Sequence, residues 1–205
     1  YDTSDNTSTE KRFSPGELGL EGESGYILQM DMLDREHYAF RWADYEQDQE
    51  GMYRQILDRI IYTDFAGDTQ TVDLWDFYLE KGILREEIEV LPLWQHVNWR
   101  CDGEGNICVL SSKEDGGFAV YLLDKSASVL LEQEGTPGQY LADSVRTPDG
   151  ELIFPIYSDG GKSYELFLAD TSEKVFRSLG RMEAEKPYIL QVYGMQGNVI
   201  YYRSQ

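Results

Sequence analysis

Apolar residues fall in short runs along this chain, parted by Gly- and Asp-led turns. The runs "NICVLSS" (106–112), "FAVYLL" (118–123), "ELIFPIY" (151–157), "YELFLA" (164–169) and "NVIYY" (198–202) are rich in the branched and aromatic residues that suit pleated surfaces. The punctuation between them recurs. Gly105 is followed 45 residues later by Gly150 and, 47 residues after that, by Gly197, each opening an apolar run. Asp115-Gly116-Gly117 is matched by Asp159-Gly160-Gly161, and Asp124 by Asp170. Each unit therefore reads as strand, turn, strand, Gly-Gly turn, strand, Asp-led turn, strand. Four antiparallel strands at a period of about 45 residues predict an all-β fold of β-propeller blades. A β-sandwich is the structural rival, but a sandwich does not require its turn residues to recur in register.

Upstream the pattern loosens. "GYILQMDML" and "HYAFRW" read as strands, and Asp64-Phe65-Ala66-Gly67 resembles the later Asp-led turns. "YRQILDRII" fits helical spacing through Tyr53, Leu57, Ile60 and Ile61 as well as it fits a strand, and only the repeat register favours the strand. Asp64 lies 60 residues before Asp124, which leaves room for an insertion. A short helix near residues 73–82 fills it, with Asp73 as cap, Leu74, Phe77 and Tyr78 on one face and Gly82 as stop. The expected organisation is a flexible polar linker over 1–22 and a β-propeller over 23–205. Blade 1 (about 23–93) is irregular, blade 2 covers about 94–134, blade 3 about 139–180, and a fourth starts over 187–205. A closed ring needs at least four blades, so the expectation is an incomplete or open propeller, a segment of a longer protein.

Composition narrows the function. The 205 residues carry 38 acidic against 18 basic side chains, a net charge of −20, which repels phosphates and argues against nucleic acid and anionic membrane surfaces as partners. The acid is concentrated in residues 1–94, where 22 acidic face 8 basic side chains. No apolar run is long enough to span a bilayer. The polar opening "YDTSDNTSTEKRFSPGE" suits a tether, either of an exported chain that has lost its targeting segment or of a disordered cytosolic tail.

Candidate chemistry is sparse. Asp102-Gly103-Glu104-Gly105-Asn106 imitates the start of a calcium loop, but that loop would need Gly at Ile107 and Glu at Lys113, so a tight turn is the reading. Cys101 and Cys108 flank it. A loop of two, four or six residues centred between Glu104 and Gly105 pairs them for a disulfide worth roughly 2.5 kcal/mol. A loop with an odd count removes that pairing and leaves two buried thiols acting as small hydrophobes. His37 and His96 stand alone, no nucleophile elbow or phosphate loop is present, and no cofactor is implied; an enzyme is not expected. Among the aromatics, Trp42, Trp75, Trp94 and Trp99 are the candidates for stacking a small-molecule or glycan ligand, against a packing role, which is the default for Trp94 and Trp99 at the first strand of a regular unit.

At "VNWRCDGEGNICVLSS", "SVRTPDGELIFPIYSDGG" and "VYGMQGNVIYYRS" the chain resembles the β-propeller region of large extracellular solute-binding lipoproteins of Gram-positive bacteria. The resemblance covers roughly residues 20–205 through turn-and-strand signals, and carries over no site residue. It implies an extracellular, cell-surface chain, held to the membrane only through a lipid anchor since removed. It also implies a C-terminal binding-protein domain in the same polypeptide and solute capture for an ABC importer; the lipid-bearing Cys and the binding-protein domain are both missing from this sequence. The resulting expectation is a non-catalytic binding or scaffold module for a carbohydrate or peptide solute. The alternative is a secreted carbohydrate-active enzyme or glycan-binding propeller.

Overall fold

A computed structural model describes residues 14–20, 25–64, 66–84, 97–113, 117–188, 190–196 and 199–204. The chain is predominantly β. Its strands form four antiparallel sheets, each built from consecutive strands. The first contains β1 (Tyr26–Met32), β2 (Tyr38–Gln47), β3 (Tyr53–Thr63) and β4 (Thr69–Asp73), so "YRQILDRII" is strand, not helix. Helix α1 (Trp75–Glu80) follows, with the Trp75 N–H donating to an Asp73 carboxylate oxygen at 2.9 Å and Leu74, Phe77 and Tyr78 buried. The second sheet is β5 (Val97–Cys101), β6 (Ile107–Ser112), β7 (Phe118–Leu123) and β8 (Val129–Glu134).

The third sheet has a divided first strand. β9 (Tyr140–Leu141) and β10 (Val145–Arg146) both pair with β11 (Leu152–Ser158), which continues into β12 (Ser163–Asp170) and β13 (Val175–Glu183). The break has a cause in β11. The Pro155 carbonyl points to the divided strand, accepting the Ala142 N–H at 2.9 Å, and a residue's N–H points the same way as its carbonyl. Proline has no N–H to offer there, so the ladder loses a rung and the strand parts. The fourth sheet is β14 (Leu190–Gln196) with β15 (Val199–Ser204).

Each interior sheet is apolar on both faces, which explains why "NICVL" and "FAVYLL" are continuous runs rather than alternations. Along β6, Ile107 and Val109 enter one core with Ile60, Tyr62 and Trp99; Cys108 and Leu110 enter a second with Leu152 and Phe154. The opposite face of the third sheet, through Ile153, Leu166 and Leu168, meets Leu190 and Val192 of the fourth. Adjacent sheets thus share cores face to face in chain order. The far face of the first sheet is covered differently. Phe40, Trp42 and Ile61 pack against Leu18, the last residue of a 3-10 turn over Pro15–Leu18, and Leu20 just after it. Of the expected linker over 1–22, residues 1–13 and 21–22 lie outside the described residues; residues 14–20 fold onto the first sheet, because Leu18 and Leu20 bring apolar surface to bury.

The first strands of three sheets meet at their ends. Asp31 of β1 accepts the Cys101 N–H at 2.9 Å and pairs with Arg100 at 3.1 Å. The Gly103 N–H donates to the Gly150 carbonyl at 2.7 Å, and a Cβ on Gly103 would stand 2.8 Å from the Gly150 Cα, so this approach requires glycine. Arg146 of the third sheet donates to the Met32 carbonyl of the first. The turns are closed by their own side chains. Asp102 accepts the Glu104 and Asn106 N–H groups, and Asp64, Asp124 and Asp170 each accept backbone N–H groups two to four residues on.

Candidate functional site

Two cavities of about 540 Å³ each open on the surface. The first lies at the turns of the first two sheets and is lined by Asp34, His37, Tyr62, Asp64, Glu104 and Lys125 among others. Its polar groups are largely engaged within the protein. Asp34 accepts the Glu36 N–H at 2.7 Å and holds the His37 Nδ1 at 2.8 Å, and these contacts, the Glu36 N–H foremost, keep its carboxyl below the usual carboxylate range. Asp64 closes its own turn. The Tyr62 hydroxyl donates to the Gly105 carbonyl at 2.6 Å, and the Lys125 ammonium sits 5.3 Å from the centre of the Tyr62 ring.

The second cavity is of another kind. It lies between the third and fourth sheets, lined by Tyr157, Tyr164, Tyr188, Pro187, Gly160 and Gly161 together with Ala142 and Leu190, none of them charged. Its rings are placed by strand register. Tyr157 of β11 stands opposite Tyr164 of β12, and on its other side opposite Tyr140 of β9. Directly paired residues on neighbouring strands share a face, so three rings lie on one rung. Centroids are 5.3 Å apart for Tyr140–Tyr157, which are stacked, and 5.6 Å for Tyr157–Tyr164. Tyr188, in the connection to β14, adds a fourth ring 4.8 Å from Tyr164.

The connection is tied in place. Tyr188 donates its N–H to the Gly161 carbonyl at 3.0 Å and its hydroxyl to the Met182 carbonyl at 3.3 Å, while its own carbonyl accepts the Tyr164 hydroxyl at 2.8 Å. The β11–β12 turn passes through left-handed backbone at Asp159 (φ 51°), Gly160 (φ 61°) and Gly161 (φ 87°), a tight reversal that brings Tyr157 and Tyr164 side by side at the mouth. Exposure is graded along the row, from Tyr140 at 43% to Tyr164 at 5%. Burial, with the neighbouring phenols, pushes the Tyr157 hydroxyl above its ordinary range, so it is a neutral donor at physiological pH.

The residues singled out from sequence lie elsewhere. Cys101 stands opposite Ile107 and Cys108 opposite Arg100, across a five-residue loop, Asp102–Asn106. The odd count offsets the pair by one residue and turns the side chains to opposite faces, Cys101 into the core against the first sheet and Cys108 into that against the third. Both are free and buried, so the disulfide expectation is corrected. Trp42 is 7% exposed with its ring in the core under Leu18 and Leu20, which removes it as a stacking platform. Trp75 is half-buried against the first core, Trp99 is wholly buried, and Trp94 lies outside the described residues. The tyrosine row was missed, although "YSDGGKSY" carries its signal: two tyrosines set symmetrically about a Gly-Gly turn must pair if the hairpin closes there.

No protein-family model and no curated protein sequence matches the chain. Among solved structures, one described as "Oligogalacturonate lyase in complex with manganese" is similar with a TM-score of 0.40 at 13% identity, over 78% of this chain and 44% of that one. The chain therefore spans less than half of that structure's length, and a likeness of this degree carries no argument about activity.

Proposed function

We propose that the chain is a non-catalytic binding module, an open array of β-propeller blades whose ligand site is the tyrosine-lined cleft between the third and fourth sheets. The radial part of this reading is supported by the meeting of first strands: Arg146 reaches Met32, so the first and third sheets touch at their inner ends although the second lies between them. A flat stack of sheets would hold those ends apart. The binding part rests on one observation, four tyrosine rings on one rung and its adjoining loop, beside a cavity of a size usual for small ligands. Packing alone does not require a row of rings that ends in an exposed Tyr140. The ligand offers flat apolar faces, as a sugar ring or a pyrrolidine ring does, and the uncharged lining asks for no ionic group.

The cell-surface address, and service to a solute importer, belong to the same proposal. They rest on the family resemblance and the polar leader; a disulfide no longer supports them. The test pairs a binding screen with a turnover assay. The intact chain retains at least one member of a panel of oligosaccharides and short neutral peptides, Tyr157→Ala weakens that binding about tenfold or more, and the ligand is recovered unchanged. Product release that disappears on replacing Asp34 and Glu104 at the other cavity would instead establish the carbohydrate-active enzyme.

A further inference from the structure

Resting on the cleft as the binding site, we infer that its occupant is a proline-rich peptide in the polyproline II conformation, neutral or basic, rather than a glycan. Three features of the site separate the two. The first is the balance of donors and acceptors. A sugar brings several hydroxyls, each of which loses water on entry and needs a partner. The cleft's side chains supply little: the Tyr164 and Tyr188 hydroxyls already donate to the Tyr188 and Met182 carbonyls, and among the described residues no side-chain amide, carboxylate or guanidinium lines the cavity. A polyproline segment has no N–H donors and presents carbonyl acceptors only. The Tyr140 and Tyr157 hydroxyls, at the open end of the row, are donors for those carbonyls.

The second feature is spacing. Rings in the row step at 5.3 Å from Tyr140, which stands outside the cavity lining, to Tyr157, and at 5.6 and 4.8 Å through Tyr157, Tyr164 and Tyr188 within it, so alternate rings stand on the order of one three-residue turn of polyproline II apart, ~9 Å. Pyrrolidine rings from successive turns then pack over alternate tyrosines rather than between neighbours, with Pro187 closing the inner end beside Tyr188. Peptide recognition of this kind uses aromatic-lined grooves because the ligand is already extended and loses little entropy on binding. The cleft is prepared to match, since the Tyr188 backbone and hydroxyl are all tied and the Tyr157–Tyr164 pair is fixed by the ladder. The third feature is charge. With an uncharged lining set in a molecule of net charge −20, acidic flanks on the peptide are repelled and basic flanks attracted, an effect that weakens with salt.

The experiment titrates the 205-residue chain with a decaproline peptide bearing two terminal arginines, and separately with a mixed set of hexose oligosaccharides, following tyrosine ring signals by NMR and affinity by calorimetry. The peptide is expected to shift the Tyr140, Tyr157, Tyr164 and Tyr188 rings. Tyr157→Phe, which keeps the ring and the fold, weakens it about threefold to tenfold; Tyr157→Ala weakens it at least tenfold; Tyr53→Ser, on the first sheet, leaves it unchanged. Replacing the terminal arginines by glutamates weakens binding at low salt. If oligosaccharides move these rings and the peptide does not, the peptide inference is overturned while the cleft remains a binding site. If neither ligand moves them, both are overturned. Peptide binding that survives Tyr157→Ala undiminished also overturns the inference, because the peptide is then elsewhere.

Discussion

Burial sets the behaviour of the two cysteines. It pushes the Cys108 thiol up to about 12, with the Asp102 charge adding to the effect, and raises the Cys101 thiol well above its ordinary range. The thiolate is the reactive form, so neither residue is expected to react with a disulfide reagent at pH 8 in the folded protein, and both react in denaturant. Two thiols titrated without denaturant would show that the second sheet opens readily. The same burial links stability to pH. In the unfolded chain Cys108 ionises near its ordinary 9.0, in the folded chain only near 12, so the folded state holds more protons between those values. This contribution is complete below pH 9 and is lost as pH rises toward 12. Urea midpoints measured from pH 8 upward are expected to fall across that window, and less steeply in Cys108→Ala. An equal slope in the variant would assign the decline to other groups, the buried Tyr62 and Tyr78 phenols being the first to examine.

Elements are joined here by a buried polar cluster as much as by apolar packing. Arg41 of β2 binds both Asp58 oxygens of β3, its Nη2 at 2.6 Å from Oδ2, and gives its remaining arm to the Val97 carbonyl of the second sheet at 3.1 Å. Tyr78 of α1 donates to the same Asp58 oxygen at 3.0 Å. Three elements therefore meet at one carboxylate, and a fourth, β5, is tied in through Arg41. Asp58→Asn leaves a buried guanidinium without its counter-charge and is expected to cost about 3–5 kcal/mol, read from urea unfolding, whereas Arg41→Met with Asp58→Leu costs less than the sum of the single changes. A loss under about 1 kcal/mol for Asp58→Asn would mean that water reaches the pair. The cluster also shows why β3 was ambiguous in sequence. Gln55 and Asp58 are buried polar residues on a strand, and they break the alternation by which a strand is recognised. Turns were legible for the opposite reason, since Gly105 and Gly150 need left-handed backbone (φ 84° and 90°) and Asp64, Asp124 and Asp170 bond to the N–H groups just after them, all local requirements. Of the tyrosine row, the Tyr157–Tyr164 pair was readable from its turn. Tyr140 lies on a two-residue strand and Tyr188 arrives through tertiary contacts, so neither leaves a periodic trace.

Across the whole molecule, a stack in which each sheet shares cores only with its neighbours has an uneven stability. The second and third sheets are covered on both faces, and β7 is buried along its entire length. The fourth sheet has two strands among the described residues, and Tyr201 and Tyr202 of β15 are half exposed, at 52% and 53%. A two-stranded ribbon is marginal by itself, so its persistence depends on Leu190 and Val192 against the third sheet. The first sheet has fewer buried rungs than the second, but the Arg41–Asp58–Tyr78 cluster couples it to its neighbour. Hydrogen exchange followed by mass spectrometry is therefore expected to rank peptides from β6, β7, β11 and β12 as the most protected, those from the first sheet next, and those from β14 and β15 as the first to exchange. Leu190→Ala accelerates exchange in β14 and β15 while leaving β6 and β7 unchanged, since the two regions share no core. Protection that is uniform from β1 to β15, or that falls everywhere together in Leu190→Ala, would show a single cooperative unit. Because Tyr188 joins the third sheet to β14, the same ranking bears on the cleft: a polyproline ligand that closes on Tyr164 and Tyr188 slows exchange in β14 selectively, coupling ligand binding to the order of the least stable sheet.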